Sequence, residues 1–219
     1  MVVHVADRAR RSGAREVWVA TDDQRILEAV QAHGHQAAMT DADHASGTDR
    51  IAELASRQGW TDASIIVNVQ GDEPIMTAEA IDGVVALLQS NATDVMATLR
   101  RRVTDMTDLT NPSVVKLVAD KAGYALYFTR SAVPFVRPGQ PAPVFWRHLG
   151  LYAYRRAFLQ TLAGLTSTPL EQAEGLEQLR ALEHGYRIST AETQADTIGV
   201  DTPEDLERVR QFVAAGALT

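Results

Sequence analysis

Apolar positions in this chain change their spacing from segment to segment, and those changes predict its elements. Val3 to Arg11 carry the three-to-four-residue spacing of an amphipathic helix, and Gln24 to Ala32, Thr48 to Arg57 and about Ala78 to Leu88 repeat it. Strand-like runs lie between them at Glu16 to Ala20, Gln36 to Met39 and Ile65 to Val69. In the last run, Ile65, Ile66, Val67 and Val69 leave almost no polar position, the pattern of a strand buried on both faces of a parallel sheet. Alternation of this kind predicts a doubly wound α/β fold, a Rossmann-like, mostly parallel sheet flanked by helices.

The middle of the chain breaks the alternation. Val95 to Leu99, Val114 to Val118 and Tyr124 to Phe128 are strand-like, with Asp120-Lys121-Ala122-Gly123 as a hairpin turn. Ser131 to Arg147 is rich in Pro and Gly and reads as a long ordered loop, followed by a strand through Tyr154. The expected organisation is one domain over 1–219 with a small β-rich lobe within about 95–150. Two late helices announce their starts. Thr168-Pro169-Leu170-Glu171 supplies a cap, a first-turn proline and a capping-box glutamate, with Leu176, Leu179 and Leu182 as the buried stripe and Gly185 as the end. Asp201-Thr202-Pro203-Glu204 repeats the device, with Leu206, Val209 and Val213 facing inward.

One element of the pattern is absent. A doubly wound sheet ordinarily opens with a strand and a glycine-rich or basic turn, whereas this sequence starts inside the first helix. The expected place of that strand is the sheet centre, between Val17–Val19 and Ile65–Val69. Without it, both neighbours would carry unpaired backbone groups, and low solubility is the expectation.

Composition narrows the function classes. The 219 residues have a net charge of -7, which disfavours nucleic acid as a partner, and no apolar stretch approaches a membrane span. Cys is absent, so neither disulfides nor thiolate metal sites arise, and a reducing cytoplasm is the expected location. A small anionic substrate fits this charge if a few arginines and a metal meet it locally.

Candidate chemistry gathers at strand ends. Asp72, in Gln70-Gly71-Asp72-Glu73-Pro74, follows a buried strand, where it reads either as an acidic turn or as a carboxylate holding a divalent metal against a phosphate. Asp201 follows an apolar pair and reads as a helix-terminus residue or as a second such carboxylate. Asp22 or Asp23 is favoured as the N-cap of the helix that follows. His44-Ala45-Ser46-Gly47-Thr48-Asp49-Arg50 offers small residues at a helix start with Arg50 one turn inside, suited to a base or phosphate, or simply a capped helix. Arg130 and Arg137 flank a proline-interrupted loop and suit a carboxylate, although loop arginines are commonly just solvated. His148, Gly150 and Tyr152 alternate onto one strand face, a polar wall with room beside Gly150, unless the histidine is purely structural.

The ordered set of motifs closely resembles the 3-deoxy-manno-octulosonate cytidylyltransferases, or CMP-Kdo synthetases, along the whole chain. It rests on Ala20-Thr21-Asp22-Asp23, Met39-Thr40, the His44 to Arg50 and Asn68 to Pro74 segments, Gly123-Tyr124-Ala125-Leu126-Tyr127-Phe128 and Arg147-His148-Leu149-Gly150-Leu151-Tyr152. Pro169-Leu170-Glu171, Leu176-Glu177-Gln178-Leu179-Arg180 and Gly199-Val200-Asp201-Thr202-Pro203 complete it. The resemblance implies transfer of CMP from CTP to the anomeric hydroxyl of the eight-carbon acidic sugar Kdo, with release of pyrophosphate, as a step towards lipopolysaccharide. It implies that Ser46, Arg50 and Gln70 contact cytidine and that Asp72 and Asp201 hold Mg²⁺. It further implies that Arg130 and Arg137 meet the sugar carboxylate, that His148, Tyr152, Glu177 and Gln178 line its hydroxyls, and that the protein is a homodimer. Strands Val114 to Val118 and Tyr124 to Phe128 are candidates for the dimer interface. The family's opening loop, S-x-R-L-P-G-K-P-L, grips the triphosphate and is not found here, so negligible turnover is expected of this stretch. Two rivals follow: a sibling that activates sialic acid or a sugar phosphate, and a non-catalytic dimerisation module.

Overall fold

A computed structural model describes residues 1–44, 46–195, 197, 199–200 and 202–214. The first layer is helix-rich. Helix α1 (Val2–Ala9) leads to strand β1 (Trp18–Thr21), helix α2 (Gln24–Ala32) and strand β2 (Gln36–Met39), and β1 and β2 pair in parallel from Trp18↔Gln36 to Thr21↔Met39. Asp23 caps α2 by accepting from the Arg25 N–H at 2.8 Å, as its position after a strand predicts. Helix α3 (Gly47–Arg57) starts at Ser46, whose hydroxyl accepts from the Asp49 N–H at 3.2 Å, and strand β3 (Ile65–Asn68) and helix α4 (Ala78–Ser90) follow.

A mixed sheet forms the rest. Strand β4 (Met96–Arg102) is followed by a 3-10 turn at Met106–Leu109, then β5 (Lys116–Ala119), β6 (Ala125–Thr129) and the ten-residue β7 (Trp146–Arg155). Helices α5 (Arg156–Ala163), α6 (Pro169–Glu174) and α7 (Gln178–Glu183), strand β8 (Ser189–Glu192) and helix α8 (Pro203–Ala214) complete the chain. The strand order is β6-β5-β7-β4-β8, with β3 also on β7. One core cluster, including Phe128, Tyr154, Leu159 and Leu179, packs on one face with α3 and α5. The other, including Met76, Val84, Leu99 and Leu151, packs on the opposite face with α4.

The sheet is mixed rather than mostly parallel. Strand β7 runs antiparallel to β3, β4 and β5, and β5 to β6, while β4–β8 and β1–β2 are parallel. The physical reason is connectivity: β5 and β6 are joined by a tight turn, which permits only antiparallel pairing. A second correction concerns the helix expected from Thr168 to Gly185. Gly175 adopts φ +61 and terminates α6, so α7 restarts at Gln178 after the Glu177 cap. Helix α5 and strand β8 add to the expected elements; α5 carries Phe158, Leu159 and Leu162 on one helical stripe, and β8 is a four-residue strand too short for its period to register.

Strands β1 and β3 are not paired with each other among the described residues. A cavity of about 750 Å³ separates them, lined by Val17 and Val19 on one side and Ile65 and Val67 on the other. This is where the pattern of the sequence places a central strand.

Helix α6 is tied to α7 by a buried pair. Arg180 Nε donates to both Glu171 oxygens at 3.1 and 3.0 Å and Nη2 donates to Oε1 at 2.6 Å. Glu171 also accepts from the Thr168 N–H at 3.1 Å, closing the capping box. Burial pushes the Glu171 carboxyl up, but the Arg180 bonds and the Thr168 N–H outweigh it and hold the group below its ordinary value. Arg180→Ala leaves that carboxylate buried and unpaired, so a loss of about 3–5 kcal/mol is expected in urea unfolding. A loss under about 1 kcal/mol would show that the pair adds little.

Candidate functional site

Strand β7 builds the wall. Its even-numbered residues Trp146, His148, Tyr152 and Tyr154 belong to or pack beside one core face, as period-2 alternation requires. The pairing with β4 jumps from Thr98↔Tyr152 to Leu99↔Leu149, so β7 bulges at Gly150 and Leu151. Thr98 secures the bulge. Its hydroxyl lies 2.8 Å from the Leu151 carbonyl, 3.2 Å from that of Leu149 and 2.9 Å from His148 Nε2. The single hydroxyl proton goes to the nearer carbonyl, so His148 Nε2–H donates to Thr98 and Nδ1 is left as the acceptor. Burial between Phe128 and Tyr152, at centroid distances of 5.0 and 5.2 Å, pulls the His148 pKa down to about 3. The ring is therefore neutral near pH 7.

The bulge sits opposite the turn that follows β3. Strand β3 pairs with Tyr152–Arg155 and β5 with Trp146 and Arg147, so β7 is uncovered between them on that edge. The Gln70–Glu73 turn fills the gap. A Cβ on Gly150 would come within 3.3 Å of Glu73 Oε1 and 3.8 Å of Gln70 Cγ, which explains why glycine stands there. Glu73 is 9% exposed and contributes to the raised pKa of Tyr152, after burial and Tyr154 and beside Glu177. Nothing in the sequence beyond its place in the turn marked Glu73 as part of this wall.

Glu177 closes the site from the other half of the chain. The stop at Gly175 turns its carboxylate towards α3, where Ser46 Oγ and Thr48 Oγ1 each donate to one oxygen at 2.9 Å. Burial raises the Glu177 pKa, and those two hydroxyls and Arg180 partly offset the rise. Gln178 is 5% exposed, and its Nε2 has no acceptor among the described residues. An orphaned amide donor of that kind costs about 1–3 kcal/mol, so it is a strong attractor for a ligand oxygen.

The remaining candidates divide into those the structure gathers and those it does not. Arg50 donates to Thr40 Oγ1 at 2.6 Å, to the Asp41 carbonyl at 3.2 Å and to Asp22 Oδ2 at 2.7 Å. It is thus held at the carboxyl ends of β1 and β2, and with Gln70 it lines the cavity between β1 and β3. Asp72 is half-buried and its carbonyl accepts from the Val200 N–H at 3.0 Å. Asp201 lies outside the described residues. Among the described residues no cluster of three or more His, Asp or Glu side chains surrounds a common point. Arg130 donates through Nε to the Glu174 carbonyl at 2.8 Å and through Nη1 to the Pro112 carbonyl at 2.9 Å, while its N–H is held by the Glu174 carboxylate. Two of its side-chain donors are therefore committed, one to the end of α6 and one to the loop before β5. Arg137 is exposed on the loop before β7.

Comparison with known proteins gives a consistent result. A family model described as cytidylyltransferase matches residues 1–188. The solved structure of CMP:2-keto-3-deoxy-manno-octonic acid synthetase complexed with CTP is 41% identical, covers 98% of this chain and 88% of its own, and superposes with a TM-score of 0.91. A cytidylyltransferase from Leptospira borgpetersenii serovar Hardjo-bovis (strain JB197), 14% identical, shares the fold at a TM-score of 0.61 over 98% of this chain and 75% of its own. No helix among the described residues is long and apolar enough to cross a membrane.

The neutral His148 makes the wall acid-sensitive. In the unfolded chain the ring titrates near 6.5 and in the folded chain near 3, so between those values the unfolded state binds more protons. The stability tied to a neutral ring is complete above pH 6.5 and declines as pH falls through that window. From pH 7 to pH 5 the expected loss is about 1–2 kcal/mol, the upper figure applying to a fully enclosed ring. Urea titrations at both values should show it, and His148→Leu should abolish it. An unchanged loss in the variant would assign the acid sensitivity elsewhere.

Proposed function

The chain belongs to the cytidylyltransferase family, and from that premise we propose that it transfers CMP from CTP to 3-deoxy-D-manno-octulosonate. The observation that carries the reading is the joining of Glu177, Ser46 and Thr48 across 131 and 129 residues, beside Gln178 with its unsatisfied donor. These groups form a polar, hydroxyl-binding wall with His148 and Tyr152, next to the α3 start where Ser46, Arg50 and Gln70 take the cytidine.

In this reading the acceptor hydroxyl of the sugar gives up its proton to solvent as its oxygen forms a bond to the α-phosphorus of CTP, and the bond to the bridging oxygen breaks to release pyrophosphate. Such a transfer depends on alignment and charge neutralisation rather than a covalent nucleophile. Glu177 accepts from Ser46 and Thr48 with one lone-pair direction on each oxygen, leaving others for sugar hydroxyls. Gln178 donates to a hydroxyl oxygen, and the neutral His148 keeps an acceptor nitrogen. Asp72 and Asp201 would hold Mg²⁺. The fit is supported by the hard oxygen donor of Asp72, whose carboxylate makes no hydrogen bond or ion pair among the described residues, and by the Val200 bond that brings the segment before Asp201 to it. Bound there, the ion supplies electrostatic neutralisation of charge on the α-phosphate. Arg137, exposed and with no ion pair among the described residues, is the candidate for the sugar carboxylate, with Arg130 anchoring the loop base. The β5–β6 hairpin presents Leu126 at 62% exposure and supports a homodimer built on a lobe within about 95–150.

Incubation with CTP, octulosonate and Mg²⁺, followed by phosphorus NMR, identifies the acceptor. The reading predicts a CMP–octulosonate diester and equimolar pyrophosphate, and the identity of the acceptor rather than the rate decides. Preference for sialic acid would point to the sibling activity. A dimer by light scattering that binds no CTP would point to a non-catalytic module. Arg50→Ala should chiefly weaken CTP and Arg137→Ala chiefly the sugar, each by about 2–5 kcal/mol. An unchanged Michaelis constant for the sugar in Arg137→Ala would remove that residue from the site.

A further inference from the structure

The last residue of α6, Glu174, turns its carboxylate onto the end of β6. Thr129 Oγ1 donates to Oε1 at 2.5 Å, the Tyr127 hydroxyl donates to the same oxygen at 3.3 Å, and the Arg130 N–H donates to Oε2 at 2.9 Å. The Thr129 hydroxyl oxygen accepts in turn from the Ser131 N–H at 3.0 Å, which leaves its proton for Glu174. Burial pushes the Glu174 carboxyl up, but these three donors and the Arg130 charge outweigh it and hold the group below its ordinary value. The knot also has a footing. Arg130 Nη1 reaches the Pro112 carbonyl, and Lys116, wholly buried, donates to the Asn111 and Val114 carbonyls at 2.8 and 2.6 Å. Arg130 is thus clamped between α6 and a turn that Lys116 fixes.

Two arms leave this knot. Glu177 and Gln178 follow Glu174 just past the left-handed Gly175, and the loop that carries Arg137 leaves β6 at Arg130. We propose that Glu174 is a positioning residue for the acidic sugar: it sets the spacing between the hydroxyl-binding arm at Glu177 and Gln178 and the carboxylate-binding arm at Arg137. The inference rests on the transferase reading and deepens it. Two arms that grip one small ligand at opposite ends add their affinities only where their spacing is fixed beforehand, because a loose arm must be ordered during binding. Glu174 fixes it through side-chain bonds to three consecutive positions of the β6 end, at Tyr127, Thr129 and the Arg130 backbone, and through its own carbonyl, which accepts from Arg130 Nε.

Titration calorimetry with octulosonate reads affinity and the number of competent sites separately, so a partly unfolded variant shows fewer sites at an unchanged Kd. The expected result for Glu174→Ala is a full complement of sites with affinity reduced about tenfold or more. Arg137→Ala should then cost about threefold or less in the Glu174→Ala background, against about tenfold or more alone. Glu174→Gln keeps an acceptor for the Arg130 N–H and turns a donor towards Thr129, so it should restore affinity to within about threefold. Thr129→Val, a same-shape change that removes one bond to Glu174, should weaken binding in the same direction, and it carries the comparison if the alanine variant does not fold. Unchanged affinity in Glu174→Ala and Thr129→Val, a loss of sites alone, or an equal effect of Arg137→Ala in both backgrounds would overturn the proposal. A parent chain that binds no octulosonate would overturn the transferase reading and this inference with it, whereas a binding parent with unaffected variants overturns this inference alone.

Discussion

Everything at the candidate site hangs on the register of β7. This strand pairs with three others, and because strand side chains alternate with a period of two, a one-residue slip would send His148, Tyr152 and Tyr154 to the opposite core. The register is fixed from both sides. Leu149, Leu151 and Ala153 are buried against α4, while Tyr152 and Tyr154 pack towards α3 and α5. The bulge at Gly150 is the one irregularity the strand carries, and Thr98 supplies the hydroxyl that makes it affordable.

Two segments remote in sequence are then brought to that wall by small backbone devices. The Gln70–Glu73 turn occupies the gap between β3 and β5 because Gly150 has no side chain to exclude it. Glu177 reaches Ser46 and Thr48 because Gly175 ends α6 in a left-handed turn and lets α7 begin afresh. The buried Glu171–Arg180 pair locks the angle between those helices. Electrostatics follow from placement: enclosure keeps His148 neutral and raises Glu177 and Tyr152, so the wall presents acceptors and hydroxyls rather than net positive charge.

Much of this was legible in the sequence where local pattern and tertiary role coincide. The continuous apolar run at Ile65 to Val69 predicted a buried strand, and β3 forms there; Thr168 to Glu171 predicted a capped helix start, and α6 begins at Pro169. The face shared by His148, Gly150 and Tyr152 came directly from alternation. What stayed hidden depends on contacts between distant segments. Leu176, Leu179 and Leu182 keep helical spacing across Gly175, so periodicity alone reads one helix where the backbone makes two. Antiparallel pairing of β7 with β3 and β4 leaves no local mark, and neither does the bond from Thr98 to His148. Arg130 looked like a free loop cation, and only the fold shows its donors committed to Glu174 and Pro112.

The central claim is that the Glu177–Ser46–Thr48 cluster and Gln178 form the sugar-binding wall of a cytidylyltransferase. Titration calorimetry with octulosonate, comparing the chain with Glu177→Gln and Gln178→Ala, tests it most directly. The account predicts saturable binding of the sugar, weakened at least tenfold in each variant with the cooperative unfolding of the protein retained. Equal affinity in all three proteins, or a preference for binding elsewhere that neither substitution alters, would contradict it.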